Sequence, residues 1–218
     1  VNVTFSPMAD LSRDSRWGRV MEGCGEDPLL NQDITAAFVR GYQGEDIAQD
    51  NKIASCVKHF AAYGAAEAGR DYNTVDMSET KLRNFYMSGY KGGIDAGAEM
   101  VMTAFNSLNG VPATGNQFLL KQILRGEWEF DGVTISDYSS VEEMIPHLVA
   151  ADHMQAAEKA VKATLDIEMV STAYIENLKQ LVENNVVNEE LIDNSVRRIL
   201  TLKYKLGLFA DPFQYVKP

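Results

Sequence analysis

Short apolar runs that stop on polar residues alternate along the chain with longer segments whose apolar residues recur at helical spacing. Runs of this kind, rich in β-branched residues and bounded by Gly, Pro or Asp, are typical of buried strands. Strands are therefore predicted at residues 1–5, 53–57, 100–104, 165–169 and in the apolar run that ends at Asp137. Helices are predicted at residues 29–42, 116–128, 154–163, 174–184 and 189–206, with another that begins at Ser78, or at Asp76 with Glu79 completing a capping box.

The alternation of strand and helix predicts the fold class. At least five alternations indicate an α/β fold with a parallel sheet and crossover helices. A complete eight-fold barrel is typically about 250 residues long. We therefore expect a partial (β/α)8 TIM-barrel-like domain of five units, or six if a short strand lies at 147–150. An open doubly wound sheet is the alternative, although no G-x-G-x-x-G or Walker sequence follows any strand.

Individual helices carry further signals. The helix at 29–42 has Ile34, Ala37, Phe38 and Gly41 at helical spacing. The helix at 116–128 is expected to turn apolar side chains inward, and these are Phe118, Leu119, Ile123 and Leu124. Asn188 is expected to cap the last helix, since Asn is a preferred first residue there.

The composition of the chain argues against several classes of binding partner. The net charge of −11 and the isoelectric point near 4.7 argue against a nucleic-acid partner. No apolar run approaches the length of about 20 residues that a membrane helix requires, so no membrane partner is expected. Cys24 and Cys56 lack a metal-ligand spacing and are predicted to be small buried apolar residues. No metal or cofactor is expected. Because the chain begins at Val1, inside an apolar strand, we expect a processed or truncated piece.

Polar residues follow each of the predicted strands. They are the loop at 13–19, Lys58-His59, Phe105-Asn106 and Asp137. The carboxyl ends of parallel strands meet at one edge, so these groups are expected to converge. Nearby cations would keep Asp137 ionised, which suits a nucleophile. The alternatives are that Asp137 only caps the next helix and that His59 only bonds a backbone carbonyl.

The order of several motifs resembles that of glycoside hydrolase family 3. The motifs are Arg16-Trp17-Gly18-Arg19, Glu26-Asp27-Pro28, Lys58-His59-Phe60, Met102-Thr103-Ala104-Phe105-Asn106 and Ser136-Asp137-Tyr138. The loop at 63–76, with Gly69-Arg70-Asp71-Tyr72-Asn73, is most similar to the branch of bacterial periplasmic β-glucosidases. That branch implies a periplasmic or secreted location.

The resemblance implies roles for individual residues. Asp137 would be the catalytic nucleophile of a reaction that retains configuration. The substrate-binding residues would be Arg19, Lys58, His59, Arg70, Phe105 and Tyr138. Of these, Phe105 stands where many members carry Tyr, and Tyr138, where many carry Trp, would form the wall of the next subsite. The loop after His59 has no further His, which disfavours the N-acetylglucosaminidase branch.

The resemblance also predicts the domain organisation. Residues 1–218 would form a partial N-terminal barrel domain, and 208–218 would be an irregular tail leading to a second domain. That second domain would hold the acid/base Glu, and an early Asp that grips the sugar would precede Val1. The 218 residues alone are therefore expected to be inactive. A homo-oligomer or a complementing chain would supply the missing strands.

The function expected from the resemblance is that of a retaining, exo-acting β-glucosidase. It would hydrolyse terminal non-reducing β-D-glucosyl residues of a β-glucoside or oligosaccharide substrate. Three alternatives stay open: a β-xylosidase of the same family, a non-catalytic sugar-binding barrel, and an aldolase-like barrel that uses Lys58 as a Schiff-base lysine.

Overall fold

The computed structural model describes residues 1–213 and 216. Residues 214, 215, 217 and 218 of the expected tail lie outside the described residues. The strands are β1 (Val3–Thr4), β2 (Ala54–Phe60), β3 (Met100–Thr103), β4 (Ser107–Leu108), β5 (Val111–Pro112) and β6 (Val133–Ile135). The helices are α1 (Pro28–Gln43), α2 (Glu79–Lys81), α3 (Ser88–Asp95), α4 (His153–Lys162), α5 (Ala173–Glu183) and α6 (Glu189–Lys205).

Four of the strands form one parallel sheet in the order β1-β2-β3-β6. Val57 pairs with Val101, which in turn pairs with Thr134. The spatial order follows the chain order, whereas a doubly wound sheet reverses its order at a switch point. The sheet is therefore wound in one direction only, as in a (β/α) barrel. Strands β4 and β5 form a separate antiparallel hairpin around the turn Asn109-Gly110.

The strand predicted at 165–169 lies beside β6 but pairs with it only through one parallel bridge, between Ile135 and Ile167. The backbone amides of Asp166 and Ile167 both donate to the carbonyl oxygen of Thr134, at 3.1 and 3.0 Å, so a regular ladder does not form. Residues 147–150 form turns, so the short strand considered there is not present.

The helix predicted from Ser78 is divided into three parts. Ser78 caps α2 as expected, because its side chain accepts a hydrogen bond from the amide of Lys81. A π-helical turn over Leu82–Tyr86 follows, and α3 begins at Ser88. A longer π-helix over Phe118–Glu127 occupies the helix predicted at 116–128. There Leu119, Ile123 and Leu124 are buried as predicted, whereas Phe118 is only partly buried and Leu120 is buried as well. The Asn188 cap of α6 is also present.

Helix α1 has the predicted extent but buries the other face. Its apolar stripe faces outward, and Phe38 is 46% exposed. The buried face carries polar side chains that are hydrogen-bonded: Asn31 donates to the carbonyl of Ala9, and Gln43 donates to that of Gly97. Buried polar groups are tolerated when they are satisfied in this way.

The two faces of the sheet belong to different apolar clusters. One face, which includes Val57 and Val101, packs with side chains of α1 and α3. The other, which includes Cys56, Met100 and Val133, packs with side chains of α6 such as Leu202. Layers of this kind hold the strands rigidly and leave their carboxyl ends free to carry a site. Within residues 1–213, no helix is long and apolar enough to cross a membrane.

Candidate active site

The polar groups expected to converge meet at the carboxyl ends of β1, β2 and β6. His59, near the end of β2, is at the centre of this cluster and is 1% exposed. Its Nδ1 lies 2.8 Å from Oδ2 of Asp10, and its backbone amide donates to the same oxygen at 3.0 Å. Its Nε2 lies 3.4 Å from Oδ2 of Asp137. The ring bonds a carboxylate, so the interpretation of His59 as a partner of a backbone carbonyl is wrong.

Asp137 lies two residues after the end of β6 and is 9% exposed. Its Oδ1 accepts a hydrogen bond from the amide of Tyr138 at 2.7 Å. Its Oδ2 is buried and has no hydrogen-bond partner among the described residues. The short helical turn that follows, Glu142–Met144, has no side-chain cap. The capping interpretation of Asp137 is therefore wrong, and one carboxylate oxygen remains available at the strand end.

Two cations belong to the cluster around His59, and they differ in whether they are paired with a carboxylate. The half-buried Arg19 donates to Glu22 through two bonds of 2.8 and 2.7 Å. These bonds, followed by the charges of Arg19, Lys58 and His59, lower the pKa of Glu22 against the opposing effect of burial. Lys58 is half-buried, and no ion pair of its ammonium group is found within the described part of the chain. Lys58 is thus the cation that a ligand can engage without breaking a protein contact.

An aromatic cluster forms one side of the site, with Tyr63 at its centre. The ring of Tyr63 contacts the rings of Trp17 at 5.2 Å, His59 at 5.3 Å and Phe105 at 5.9 Å between centroids. The guanidinium of Arg19 lies 5.5 Å above the same ring. Burial raises the pKa of the Tyr63 hydroxyl, and so does the nearby carboxylate of Asp71. Such edge and cation contacts fix the orientation of the side chains that they join.

Two further polar residues border Asp137 on the side of the 69–73 loop and the turn after β6. Burial raises the pKa of Glu143, and the charges of Asp137 and Glu142 raise it further. Burial likewise raises the pKa of Tyr72, to which Glu143, Asp71 and Asp137 contribute. The Tyr72 ring lies 4.4 Å from that of Phe105. The site therefore has an acidic side as well as a cationic one.

The structure brings most of the predicted residues together. Arg19, His59, Phe105 and Asp137 are linked by the contacts given above, and Lys58 precedes His59. Tyr138 is next to the nucleophile candidate but 60% exposed. Arg70 is exposed, and within the described residues its guanidinium contacts none of the others. No group of three or more His, Cys, Asp or Glu side chains in the described chain could hold a metal ion.

Sequence reasoning missed three members of the site: Asp10, Tyr63 and Tyr90. Asp10 and Tyr90 are 80 residues apart, and their hydrogen bond leaves no local pattern. Tyr63 follows His59 by four residues in a glycine-containing loop, which is a weak signal. The cysteine prediction holds for Cys56, which is buried, but Cys24 is only half-buried. Burial raises the pKa of both thiols.

Comparison with known proteins defines the class to which this fold and site belong. The family model described as "Glycosyl hydrolase family 3 N terminal domain" matches residues 1–202. The chain belongs to this family. Its parallel sheet and helices are those of the family's N-terminal (β/α) barrel domain, present here in part.

Particular relatives are similar over the whole chain. A protein named periplasmic beta-glucosidase from Salmonella typhimurium is 46% identical over 218 residues, which are 100% of this chain and 28% of that protein. A beta-xylosidase from Formosa agariphila is 37% identical over 94% of this chain and 30% of its own length. A beta-glucosidase from Listeria innocua, crystallised as a mutant in complex with laminaribiose, superimposes with a TM-score of 0.97 and 52% identity. That match covers 99% of this chain and 30% of the Listeria chain. The chain thus spans less than a third of the length of these relatives.

Proposed function

We propose that the whole protein is a retaining, exo-acting β-glucosidase that hydrolyses terminal non-reducing β-D-glucosyl residues. The observation that carries the proposal is Oδ2 of Asp137, which has no hydrogen-bond partner among the described residues and lies 3.4 Å from Nε2 of the buried His59. The names of the relatives from Salmonella typhimurium and Listeria innocua support the choice of substrate.

In the first half of the proposed reaction, Oδ2 of Asp137 attacks the anomeric carbon of the sugar. The bond from that carbon to the leaving oxygen breaks, and a glycosyl-enzyme ester forms. The amide of Tyr138 holds the other carboxylate oxygen at 2.7 Å and so orients the nucleophile. Water then attacks the same carbon, the bond from that carbon to Oδ2 of Asp137 breaks, and the residue that acted as the acid takes the proton of the water, so the sugar leaves with its configuration retained.

The residues around Asp137 are proposed to bind the sugar. Lys58 and Arg19 would donate to hydroxyl groups of the sugar, Nε2 of His59 would accept from one, and Phe105 would face the ring. Charge-assisted hydrogen bonds of this kind are the strong ones, and those that tighten in the transition state accelerate the reaction. Arg70 and Tyr138 are exposed and are proposed to contact the substrate at the rim, with Tyr138 at the subsite of the leaving group.

The leaving oxygen requires a proton from a second carboxylic acid. We propose that a Glu in a second domain supplies this proton, with the tail from 208 onward leading to that domain and residues 1–218 forming part of the barrel. We also propose export to the periplasm, because the relative from Salmonella typhimurium carries that location in its name. Fractionation of the producing cells tests the location directly.

Covalent trapping tests the role of Asp137. The full-length protein is incubated with an activated 2-deoxy-2-fluoro β-glucoside, and the labelled peptide is identified by mass spectrometry. We expect the label on Asp137 and none on the variant Asp137→Ala. Asp131→Asn is the matched control, since Asp131 is an exposed aspartate just before the same strand. Labelling of another residue, or near-normal turnover of Asp137→Ala, would refute the proposal.

A β-xylosidase activity is the second candidate, favoured by the relative from Formosa agariphila. Comparison of kcat/KM for the 4-nitrophenyl β-glucoside and β-xyloside separates the two activities. A larger kcat/KM for the xyloside would indicate a β-xylosidase, with the proposed role of Asp137 unchanged. Binding of glucose without turnover of either substrate would instead indicate a sugar-binding barrel.

A further inference from the structure

Asp10 is the most deeply buried carboxylate near the candidate nucleophile, with a side chain that is 0% exposed. It follows β1 and lies on the side of His59 that faces away from Asp137. Both of its oxygens accept hydrogen bonds. Oδ2 accepts from the amide and ring of His59, and Oδ1 accepts from the hydroxyl of Tyr90 at 2.6 Å. A buried carboxylate so fully bonded has a fixed orientation.

The arrangement specifies which nitrogen of His59 carries a hydrogen. An ionised carboxylate has no hydrogen to donate, so the Nδ1 atom that lies 2.8 Å from Oδ2 of Asp10 must be the donor. The Nε2 atom is then the one that faces Oδ2 of Asp137 at 3.4 Å. The hydroxyl of Tyr90 also lies 2.8 Å from the carbonyl oxygen of His59, so its one hydrogen is shared between Asp10 and the backbone of His59.

We propose that Asp10 is a positioning residue that holds the His59 ring in the Nδ1-protonated state, with Nε2 directed at Asp137 and the sugar. The inference rests on the proposed function of Asp137 and His59. Asp10 itself is buried behind the ring and is not proposed to contact the substrate. The role resembles that of any carboxylate that orients a reactive imidazole through its second nitrogen.

The variant Asp10→Asn tests the proposal with little change in shape. An amide keeps one acceptor oxygen for His59 and can donate its NH2 group to the oxygen of Tyr90. The bond to the ring is no longer charge-assisted, so the ring is free to adopt the other tautomer. We expect kcat of the full-length protein to fall about 10- to 100-fold, in line with losses of outer-shell partners elsewhere, while KM changes much less. Equal kcat in the two proteins would overturn the proposal.

Tyr90→Phe is the matched control. It removes the hydroxyl that bonds Asp10 but keeps the ring, which lies 5.4 Å from that of Phe60, and leaves the carboxylate on His59. We expect a smaller loss of kcat than for Asp10→Asn, because the charge-assisted bond between Asp10 and the His59 ring remains. A loss equal to that of Asp10→Asn would show that general packing, and not the orientation of the ring, explains both variants.

Nitrogen chemical shifts of the His59 ring give a readout that does not depend on turnover. The signals of His59 are assigned by their absence from the spectrum of His59→Gln. We expect a protonated Nδ1 in the unaltered protein and a mixture of tautomers in Asp10→Asn. An unprotonated Nδ1 in the unaltered protein would overturn the proposal even if Asp10→Asn failed to fold. If the protein proved inactive on glycosides, the proposed function would fail, while these spectra would still decide the role of Asp10.

Discussion

Asp166 ties the strand of the candidate nucleophile to two helices, and we expect Asp166→Ala to destabilise the barrel strongly. The carboxylate is 0% exposed and accepts from Arg125 and Arg198, both at 2.8 Å. It also accepts from the amide of Thr134 at 2.8 Å and from the Thr134 hydroxyl at 3.0 Å. Thr134 lies in β6, three residues before Asp137.

The size of the expected destabilisation follows from the burial of Arg125, one of the two arginine partners of Asp166. Burial lowers the pKa of Arg125 to about 10, against the opposing effect of the Asp166 charge. Removal of the carboxylate would leave a guanidinium only 10% exposed without its counter-charge. Breaking a buried pair in this way costs about 3–5 kcal/mol. For a domain of this size, the loss corresponds to a melting temperature lower by about 6–20 °C.

Two measurements test this prediction in the full-length protein. Differential scanning fluorimetry gives the melting temperature, and hydrogen exchange reports on the amide of Thr134, which should exchange faster in Asp166→Ala. Arg198→Ala is the control. The Arg198 side chain is 23% exposed, so water can reach the position that it leaves, and we expect the free energy of unfolding to fall by only about 1 kcal/mol. The double variant Arg125→Met/Asp166→Ala should lose less free energy of unfolding than the two single variants together, because it leaves no unpaired Arg125 charge. A shift below about 2 °C for Asp166→Ala would refute the reasoning.

Three further predictions concern single residues. Lys58→Ala should lower kcat/KM by a factor equivalent to about 2–3 kcal/mol of transition-state stabilisation, without lowering the melting temperature. Unchanged kcat/KM with a lower melting temperature in fluorimetry would indicate a structural lysine. The raised pKa of Glu143 means that folding favours its neutral form, so stability falls as pH rises above the unfolded value of about 4.3. Glu143→Gln should therefore melt higher than the unaltered protein at pH 7 and equally at pH 4; a lower melting temperature at pH 7 would contradict this. Gly64→Ala should be strongly destabilising, because its Cβ would lie 2.2 Å from the carbonyl oxygen of Leu11, whereas Gly41→Ala in α1, with no described atom within 4 Å, should gain about 0.5–1 kcal/mol. Equal melting temperatures for these two glycine variants would contradict the steric clash expected at Gly64.

The order of strands and helices could be predicted from the sequence because each element has a local pattern. Runs of apolar residues mark β2, β3 and β6, and capping residues such as Ser78 and Asn188 mark helix starts. The irregular pairing at 165–169 could not be predicted. There the side chain of Asp166 bonds Thr134 and competes with the backbone ladder, which is a long-range effect.

The face of α1 that is buried could not be predicted from local apolar spacing either. Apolar spacing selects the stripe with Ile34 and Phe38, but Asn31 and Gln43 are buried instead because each finds a partner far along the chain. Gln43 also accepts from the amides of Ser55 and Glu99 and so joins α1 to the starts of β2 and β3. A polar residue whose partners lie far along the sequence has no signature in its own neighbourhood.

The same distinction explains which parts of the candidate site the sequence could supply. Asp137 and His59 stand at strand ends, where the parallel topology alone brings their side chains together. The residues that hold them come from elsewhere: Asp10 and Tyr90 orient His59, and Asp71 bonds the indole of Trp17 at 2.9 Å, next to Tyr63. These supports join the loop after β1 to α3 and to the 63–76 loop. The geometry around Asp137 therefore depends on contacts between distant segments, whereas the choice of Asp137 as the candidate nucleophile depends on one strand.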